Sequence, residues 1–586
     1  MLLLFFSILS SVIAIDELLV TTSYGSLRGY QVSSHNGSVR IFKAVPFAAP
    51  PVGDLRWRRP LPPLSWEGEL NATEYSAACM SNSTETSSPQ EYVSEDCLYL
   101  NVFVHGNCST DHPCPILVYF HGGGMNYDSA TYLPDDALVN NFAAKGLMLV
   151  VPGFRLGFTG IVNFEDNHEY AETNLGVWDA LEALSFLRRE ASSFGGGASS
   201  ISLMGHSYGA GLAAMLAYSP ERQRRVPLSR VIAISPEVRF ANETRSTELT
   251  RQLTKLAGCE RPSPKEVVGC MRQKDGYELL AYQRRMQEAS AINESFSGFY
   301  IQPQLFPFED IHDMYSRNPQ VDVLLGTSMF EFISWGWVDS NRNGELIGAE
   351  NVEELDLLYA ELTKRGRTGQ VHDGPSQSLY ISAYMFARST IDSGRKAFLY
   401  SFDYPKDNDH ATILFYLFGI HHIDMDENEK VISTFYTDLF LNFSKTGEPS
   451  PIWDTMNNNN SYFSIDVDVQ KGKMPSMREW YEKPTLDFWL KDAPLIDQKI
   501  TQLKQHSFPV QNVSIDNILQ ALGSQGVNVV TDYSIELQSA STPLQRSFVL
   551  VVLTVVIIFS LGAFIYTIYC RKKTEEHLPL LNSRNI

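Results

Sequence analysis

The chain has 586 residues and a formal net charge of −20 at pH 7. An acidic surface of this kind repels a phosphate backbone, so the composition excludes nucleic acid as a partner and suits a solvated extracellular or luminal protein. No repeat of fixed period and no long low-complexity segment divides the chain.

The first 14 residues form an apolar run that ends in Val12-Ile13-Ala14 and is followed by acidic, polar sequence. This run is shorter than the ~20 residues that a membrane-spanning helix needs. Its small last residue is typical of a cleaved signal peptide, although the run has no Lys or Arg before it. We therefore expect residues 1–14 to be a signal peptide, with an uncleaved anchor as the alternative.

Residues 15–500 alternate between apolar, β-rich runs and helical patterns. Continuous apolar runs are typical of strands buried on both faces of a mainly parallel sheet. A helix is predicted where apolar residues recur every three or four positions, from Val177 to Leu187. Because no Pro/Ser/Gly-rich linker interrupts this alternation, we predict one large α/β domain with insertions. The apolar runs are Pro115–Phe120, Leu147–Val151, Arg230–Ser235 and Val321–Leu325.

The pentapeptide Gly205-His206-Ser207-Tyr208-Gly209 lies between a short apolar run and a helical pattern that ends at Tyr218. A Gly-x-Ser-x-Gly sequence in this context is typical of a nucleophile elbow, in which a serine occupies a cramped turn between a strand and a helix. Glycines flank such a turn because it leaves no room for Cβ atoms. The alternative is a serine in an ordinary glycine-rich loop.

Six of the seven cysteines precede residue 500 and form three groups of near neighbours in sequence. An even number in an oxidising compartment predicts three local disulfides, although fifteen pairings are possible. The seventh, Cys570, lies at the end of a predicted membrane segment and is interpreted as a free thiol, with S-palmitoylation as the alternative. The six are Cys79, Cys97, Cys108, Cys114, Cys259 and Cys270.

Nine Asn-x-Ser/Thr sequons are typical of a glycosylated protein of the secretory pathway. Not every sequon is expected to carry a glycan. The candidate sites are Asn36, Asn71, Asn82, Asn107, Asn242, Asn293, Asn442, Asn459 and Asn512.

The C-terminal part of the chain predicts a membrane anchor. Residues 501–546 are polar, with few aromatic residues, and we interpret them as a stalk. Residues 547–570 contain no charge and are long enough to cross ~30 Å of hydrocarbon. The basic run Arg571-Lys572-Lys573 marks the cytoplasmic side. We therefore predict a single-pass type I membrane protein with its folded domain on the extracellular or luminal side.

The tail of residues 571–586 is too polar for the end of a lipid-anchor signal. Within it, Glu576 lies four residues before the pair Leu580-Leu581, which matches the acidic dileucine pattern that clathrin adaptors bind. A short disordered tail can become ordered on such a partner at modest cost. This motif predicts cycling between the plasma membrane and endosomes or lysosomes, and the alternative is a tail without a sorting function.

Several separated motifs resemble the carboxylesterase/cholinesterase (type B) family of α/β hydrolases. The resemblance covers residues 20–500, and its motifs occur in the order in which the family has them. It implies an α/β-hydrolase fold, with a mainly parallel central sheet flanked by helices, and hydrolysis of small-molecule carboxylic esters. The motifs are Phe42–Trp57, Ser94–Asn101, His121–Gly124, Phe154–Gly157, Phe194–Gly196, Asn442–Pro449 and Phe488–Trp489.

The resemblance implies a catalytic triad in the superfamily's order of serine, acid and histidine. Ser207 is then the nucleophile, and Glu331 is the acid that follows the apolar run ending at residue 325. His410 is the base because it precedes Gly419 by nine residues, as the catalytic histidine does in the family. His421 and His422 are alternative bases.

The oxyanion donors implied by the resemblance are the backbone amides of Gly123, Gly124 and Tyr208. Ester hydrolysis needs only a nucleophile, a base, a group that orients the base and these donors, so no metal or cofactor is expected. The resemblance also implies the disulfides Cys79–Cys97 and Cys259–Cys270, which leaves Cys108–Cys114 as the third pair.

The chain departs from the family at three places near the predicted site. His206 and Tyr208 stand where the family commonly has Glu and Ala, and Glu237 places a second carboxylate near Glu331. The loop between Cys79 and Cys97 contains no tryptophan, whereas cholinesterases have a choline-stacking tryptophan there. Without that cation–π partner, acetylcholine is not expected as a substrate.

Two functions are compatible with these observations. The first is a membrane-tethered serine carboxylesterase, which the intact set Ser207, Glu331 and His410 favours. The second is a neuroligin-like adhesion or receptor ectodomain on the same scaffold, which the single-pass topology favours. The adhesion branch typically lacks at least the serine, so the first hypothesis is preferred.

Overall fold

The computed structural model describes residues 17–81, 92–164, 169–241, 243–289, 296–332, 341–364, 374–406, 408–420 and 424–506. The chain divides into two units, Met1–Val529 and Val530–Ile586. The second unit lies wholly outside the described residues.

Most of the described strands join one large sheet. In chain order the strands are β1 Glu17–Thr21, β2 Ser26–Ser34, β3 Gly37–Pro46, β4 Glu69–Asn71, β5 Ala78–Cys79, β6 Val93–Ser94, β7 Tyr99–His105, β8 Cys114–Phe120, β9 Met148–Pro152, β10 Gly196–His206, β11 Leu228–Ile234, β12 Asp322–Ser328, β13 Ala397–Phe402, β14 Tyr462–Ile465 and β15 Ser476–Arg478. The sheet order is β1-β2-β3-β7-β9-β8-β10-β11-β12-β13-β14-β15, with β4 beside β2, while β5 and β6 pair separately.

The centre of the sheet is parallel and its margins are antiparallel. Strands β9, β8, β10, β11, β12, β13 and β14 run in the same direction. Along β8, Val118 and Phe120 enter one hydrophobic core, whereas Leu117 and Tyr119 enter a second core on the opposite face. This alternation explains why the strand is apolar at every position: both of its faces are buried.

Helices cover both faces of the sheet. They are α1 Asp135–Ala137, α2 Gly157–Gly160, α3 Leu175–Glu190, α4 Tyr208–Tyr218, α5 Pro220–Arg225, α6 Glu243–Leu256, α7 Pro264–Arg272, α8 Gly276–Ala289, α9 Ile311–Tyr315, α10 Asn341–Leu346, α11 Val352–Lys364, α12 Gly374–Asp392, α13 Thr412–Phe418, α14 Glu427–Thr446, α15 Lys483–Asp487 and α16 Ala493–His506. Residues of α3, α4 and α12 belong to the first core, and residues of α13 and α14 to the second.

The helix α14 shows how the sequence determines its ends. Asp426 accepts a hydrogen bond from the Glu429 amide at 2.9 Å, and Glu429 accepts one from the Asp426 amide at 2.8 Å. This reciprocal pair is a capping box, which satisfies amides that have no partner within the first turn. The helix stops at Gly447, whose φ of +82° is left-handed.

The predicted α/β architecture is confirmed. The four apolar runs named above correspond to β8, β9, β11 and β12, and the predicted helix from Val177 to Leu187 lies within α3. One predicted boundary falls inside an element, because α16 continues to His506, beyond the stalk boundary expected at residue 500. The reason is that Ile496 and Ile500 on α16 are buried in the first core.

Three disulfides are present, and each has the predicted partners. Cys79 bonds to Cys97, Cys108 to Cys114, and Cys259 to Cys270, with Cα–Cα distances of 5.0, 5.4 and 5.6 Å. Closing loops of this length constrains the unfolded chain by roughly 3 kcal/mol each in the chain-entropy account.

Five of the nine candidate glycosylation sites lie among the described residues. Their asparagine side chains are all exposed; they are Asn36, Asn71, Asn107, Asn442 and Asn459. Asn442 differs from the others because it lies within α14 and the hydroxyl residue of its sequon, Ser444, is fully buried. The other four, Asn82, Asn242, Asn293 and Asn512, lie outside the described residues, and glycosylation itself stays a prediction.

No helix in the described part of the chain is long and apolar enough to cross a bilayer. The predicted membrane segment, residues 547–570, lies outside the described residues, as do the predicted signal peptide and the sorting motif of Glu576, Leu580 and Leu581. These assignments stay predictions.

A buried ion pair joins α3 to the segment that follows β9. The Arg155 guanidinium donates from Nε and Nη2 to the two carboxylate oxygens of Asp179, at 2.8 and 2.7 Å. Both side chains are almost completely excluded from solvent. The pair is therefore tolerable only as a complete unit, since either charge alone would be desolvated without a partner.

We predict that Asp179→Asn, which leaves the Arg155 charge uncompensated, destabilises the folded protein by about 3–5 kcal/mol. A matched control is Asp392→Asn, which breaks an exposed pair between Asp392 and Arg388 on α12. The control should change stability by less than about 0.5 kcal/mol. Urea unfolding of the full-length variants, followed by tryptophan fluorescence, measures the difference, and equal effects of the two substitutions would contradict the prediction.

Candidate active site

The three predicted catalytic residues follow the carboxyl ends of strands that lie close together in the sheet. Ser207 follows β10, Glu331 follows β12 by three residues, and His410 lies in the segment after β13. Strands β10, β11, β12 and β13 are consecutive neighbours and parallel. Because carboxyl ends of parallel strands meet at one edge of a sheet, the topology brings the three residues to a single site.

Ser207 occupies a strained turn between β10 and α4. Its φ and ψ are +56° and −126°, a combination that is rare for a residue with a side chain. The turn is held by a hydrogen bond from the Ser207 amide to the Ile234 carbonyl at 2.9 Å. A Cβ atom at Gly205 would lie 2.2 Å from the Gly209 carbonyl oxygen, and one at Gly209 would lie 2.2 Å from the Phe120 carbonyl oxygen, so both positions of the elbow require glycine.

Glu331 and His410 form a buried pair. His410 Nδ1 lies 2.5 Å from Glu331 Oε2, and the His410 amide donates to the Glu331 carbonyl at 2.8 Å. The other carboxylate oxygen, Oε1, accepts from the Ser235 hydroxyl and the Ser328 amide, both at 2.7 Å. With Nδ1–H donating to the carboxylate, the neutral His410 imidazole has its lone pair on Nε2, which is the form that a general base requires.

His206 links the elbow directly to the segment that holds His410. Its Nε2 lies 2.7 Å from the His410 carbonyl oxygen, and the two rings are 4.7 Å apart. Burial, together with the nearby His410, lowers the pKa of His206 to about 3. The His206 ring is therefore neutral at physiological pH. Because a carbonyl oxygen only accepts hydrogen bonds, Nε2 is the ring nitrogen that carries the hydrogen, and it donates the hydrogen bond.

The glycine run after β8 lies against the elbow. A Cβ atom at Gly122 would be 3.2 Å from the Cβ of Ser207. Gly123 and Gly124 have φ values of +92° and +62°, in the left-handed region that favours glycine. The third predicted donor, the amide of Tyr208, belongs to the first residue of α4. The predicted oxyanion donors therefore lie in two segments that touch at the nucleophile.

Aromatic rings surround the site. The Phe332 ring lies 4.4 Å from the His410 ring, on a residue that directly follows Glu331. The Tyr208 side chain is buried, and its ring lies 6.3 Å from that of Phe299. The ring that replaces the family's alanine is thus accommodated by packing against Phe299.

Glu237 and the alternative bases His421 and His422 are the remaining predicted residues. The Glu237 amide donates to the Ser207 carbonyl at 3.2 Å, and its side chain is 8% exposed. An effect of its carboxylate on Glu331 stays a prediction. The alternative bases His421 and His422 lie outside the described residues.

The sequence patterns did not predict Ser235 and Ser328, which donate hydrogen bonds to Glu331 Oε1. Ser235 ends the predicted apolar run Arg230–Ser235 and lies two residues before Glu237. The available signal was its position, directly after the end of β11 and therefore beside the end of β12.

Asp128 is a partly buried carboxylate four residues after Gly124. Its burial raises the pKa of Asp128 to about 6. The same carboxylate contributes to raising the pKa of Tyr132, whose hydroxyl is itself desolvated. Asp128 is therefore an acid that the folded protein holds more readily in its neutral form.

The fold is that of the α/β hydrolases. A solved structure of PNB esterase superposes with a TM-score of 0.66 and 23% sequence identity, covering 80% of this chain and 98% of that one. The sequence profile described as "Carboxylesterase family" matches residues 16–373 and 376–489. The chain therefore belongs to the carboxylesterase family and is a carboxylic ester hydrolase.

Curated relatives align over most of the chain. Carboxylesterase 5A of Canis lupus familiaris is 25% identical over 562 residues, which cover 86% of this chain and 94% of the relative. A protein of Anas platyrhynchos named "Fatty acyl-CoA hydrolase precursor, medium chain" is 26% identical over 531 residues, covering 80% of this chain and 91% of the relative.

We predict that Asp128→Asn stabilises the protein by about 2 kcal/mol at pH 7.5 and by less than about 1 kcal/mol at pH 4. The folded pKa of Asp128 lies above the ordinary value, so its ionisation opposes folding as pH rises from about 4 through 6. Asparagine keeps the shape of the neutral acid and removes this cost. The measurement is the urea midpoint of both proteins at both pH values, and equal midpoints at pH 7.5 would rule it out.

We predict that His206→Leu lowers kcat about tenfold, because it removes the donor to the His410 carbonyl and loosens the base. His206→Gln should retain most activity, since its side-chain N–H reaches close to the position of Nε2. The kinetics of p-nitrophenyl acetate hydrolysis by the full-length protein measure both. Equal activity of the Leu and Gln variants would show that the hydrogen bond does not matter.

Proposed function

We propose that the protein hydrolyses carboxylic esters through an acyl-enzyme formed on Ser207. The observation that carries this proposal is the buried hydrogen bond between His410 Nδ1 and Glu331, with Ser207 at the adjacent elbow. His410 Nε2 removes the proton from Ser207 Oγ as that oxygen attacks the ester carbonyl carbon. The positive charge that develops on the imidazole lies beside the Glu331 carboxylate, which stabilises it.

The tetrahedral intermediate places a negative charge on the former carbonyl oxygen. The amides of Gly123, Gly124 and Tyr208 donate to this oxyanion, and backbone donors held by the fold need no reorganisation during the reaction. Collapse of the intermediate expels the alcohol, which takes the proton from His410. Water then attacks the acyl-enzyme with His410 as the base, and the carboxylic acid leaves as Ser207 regains its proton.

The substrates proposed are small-molecule esters. Relatives of this chain are named as carboxylesterases and as a fatty acyl-CoA hydrolase, which supports acyl-group hydrolysis in general. The absence of tryptophan between Cys79 and Cys97 argues against choline esters. No relative reported above is named as an adhesion protein, so the esterase hypothesis is the one retained.

Tethering and sorting are proposed from sequence alone. Residues 547–570 would anchor the catalytic domain to the outer or luminal face of a membrane. The acidic dileucine motif of Glu576, Leu580 and Leu581 would bind a clathrin adaptor and cycle the enzyme between the plasma membrane and endosomes or lysosomes.

We predict that a fluorophosphonate probe labels the full-length protein and that Ser207→Ala abolishes the labelling. The same substitution should lower hydrolysis of p-nitrophenyl acetate by at least about 10³-fold, because the nucleophile is lost. Ser202 supplies a matched control, because it is buried on β10, the strand that leads into the elbow, and its hydroxyl donates to the Ser444 carbonyl. Ser202→Ala should keep both labelling and hydrolysis. Retention of hydrolysis by Ser207→Ala would refute the acyl-enzyme.

A further inference from the structure

The glycine loop that carries two of the proposed oxyanion donors is a compact turn with its own hydrogen bonds. The Gly123 carbonyl accepts from the amides of Asn126 and Tyr127, at 2.9 and 3.0 Å. A Cβ atom at Gly123 would lie 2.3 Å from the Tyr127 carbonyl oxygen, so the turn closes tightly on itself. The direction of the Gly123 and Gly124 amides therefore depends on how residues 123–127 are held.

Two contacts hold this turn from outside. The Gly157 amide, at the start of α2, donates to the Met125 carbonyl at 2.7 Å. Gln283, in the middle of α8, donates from Nε2 to Asn126 Oδ1 at 2.7 Å. Asn126 and Gln283 are separated by 157 positions in sequence, and α8 carries none of the family motifs found in this chain.

The orientation of the Gln283 amide is determined by its partners. Its Oε1 accepts from the Phe158 backbone amide at 2.8 Å, because the oxygen is the one atom of the side-chain amide that can accept a hydrogen bond. Nε2 is therefore the atom that faces Asn126 Oδ1. Gln283 is 1% exposed and Asn126 is 4% exposed, so water does not replace either bond if it is removed.

Three segments converge at this point. A Cβ atom built at Gly157 would lie 2.7 Å from Gln283 Oε1 and 3.1 Å from Asn126 Oδ1. Glycine at position 157 thus permits the side-chain amides of Asn126 and Gln283 to meet over α2. A buried pair of amides with satisfied polar groups specifies one arrangement, whereas an apolar contact at the same place would tolerate several.

We propose that Gln283 and Asn126 are positioning residues of the oxyanion hole. Gln283 acts through Asn126 to hold residues 123–127, and thereby aims the Gly123 and Gly124 amides at the oxyanion. This inference rests on the proposed function, and it assigns to α8, an element distant in sequence from the catalytic motifs, a role in the chemical step. Neither residue contacts the reacting atoms in this account.

The test is the kinetics of Gln283→Leu and Asn126→Ala in the full-length protein, with p-nitrophenyl acetate as substrate. Displaced oxyanion donors weaken binding of the transition state and leave ground-state binding intact, so kcat should fall about 10- to 100-fold with KM changed less than about twofold. Affinity for an aryl trifluoromethyl ketone, which forms the tetrahedral adduct, should fall in parallel with kcat. Burst titration with a fluorophosphonate normalises each rate to the folded, reactive enzyme.

A double variant separates positioning from a general effect on folding. If Gln283 acts through Asn126, Gln283→Leu should lower kcat less than about twofold further when Asn126 is already alanine. Leu279→Ala is the matched control, because Leu279 is a buried residue one turn earlier on α8 and should lower thermal stability without changing kcat.

The outcomes distinguish this inference from the proposed function. If the wild-type protein neither hydrolyses p-nitrophenyl esters nor reacts with the fluorophosphonate, the proposed function itself is wrong. If the wild type is active but Gln283→Leu keeps its kcat within about twofold, or the two single effects multiply in the double variant, the positioning role of Gln283 is refuted.

Discussion

The burial of one carboxylate determines how the edge of the sheet is assembled. Glu331 has no exposed surface, and an ionised carboxylate without water is tolerable only when donors surround it. Its donors come from three places: the Ser235 hydroxyl at the end of β11, the Ser328 amide at the end of β12, and His410 after β13. The three hydrogen bonds to Glu331 therefore fix three strand ends relative to one another, and they fix the position of His410 as well.

His206 connects the segment that holds His410 to the elbow at Ser207. Where the family commonly has a glutamate, this chain has an imidazole that is neutral at physiological pH and donates to the His410 carbonyl. A carboxylate at this position has no proton to donate at neutral pH, so it cannot form this bond. Compared with a glutamate, His206 removes a negative charge near His410 and adds a hydrogen bond between the elbow and the segment that holds His410. Glu331 then remains the carboxylate that pairs with the His410 ring.

The parts of the fold that were predictable from sequence are those with local signals. The elbow at Ser207, the apolar run of β8 and the cysteine neighbours Cys108 and Cys114 each lie within a few residues, so a single window of sequence contains the pattern. The stalk boundary predicted at residue 500 falls within α16. That helix is polar on one face, and composition alone does not show that Ile500 is buried. The average polarity of a stretch of sequence does not separate the buried face of such a helix from its exposed face.

Contacts between residues that are far apart in sequence leave no comparable pattern in the sequence. The bond from Ser235 to Glu331 joins residues 96 positions apart, and the bond from Gln283 to Asn126 spans 157. Glutamine is common on helices, so nothing local distinguishes Gln283 from a solvated side chain until the fold brings α8 to the glycine loop. The candidate catalytic residues were predicted because the family resemblance names them, whereas the groups that contact them required the structure.

The contacts that hold the start of α8 in place include a residue of the Phe42–Trp57 motif. Arg56, in the Phe42–Trp57 motif, donates to the Met271 and Lys274 carbonyls at the end of α7, at 2.9 and 2.7 Å, and pairs with Glu95. Three residues after α7 ends, Asp275 accepts from the Tyr277 amide at the start of α8.

These bonds fix the end of one helix and the beginning of the next, while the disulfide Cys259–Cys270 ties α7 to the segment that follows α6. A helix anchored at its first turn holds a residue two turns further on with little freedom, since the backbone between them is rigid. Gln283 is such a residue, and the ion pair of Arg56 is thereby connected, through α7 and α8, to the loop proposed to stabilise the oxyanion.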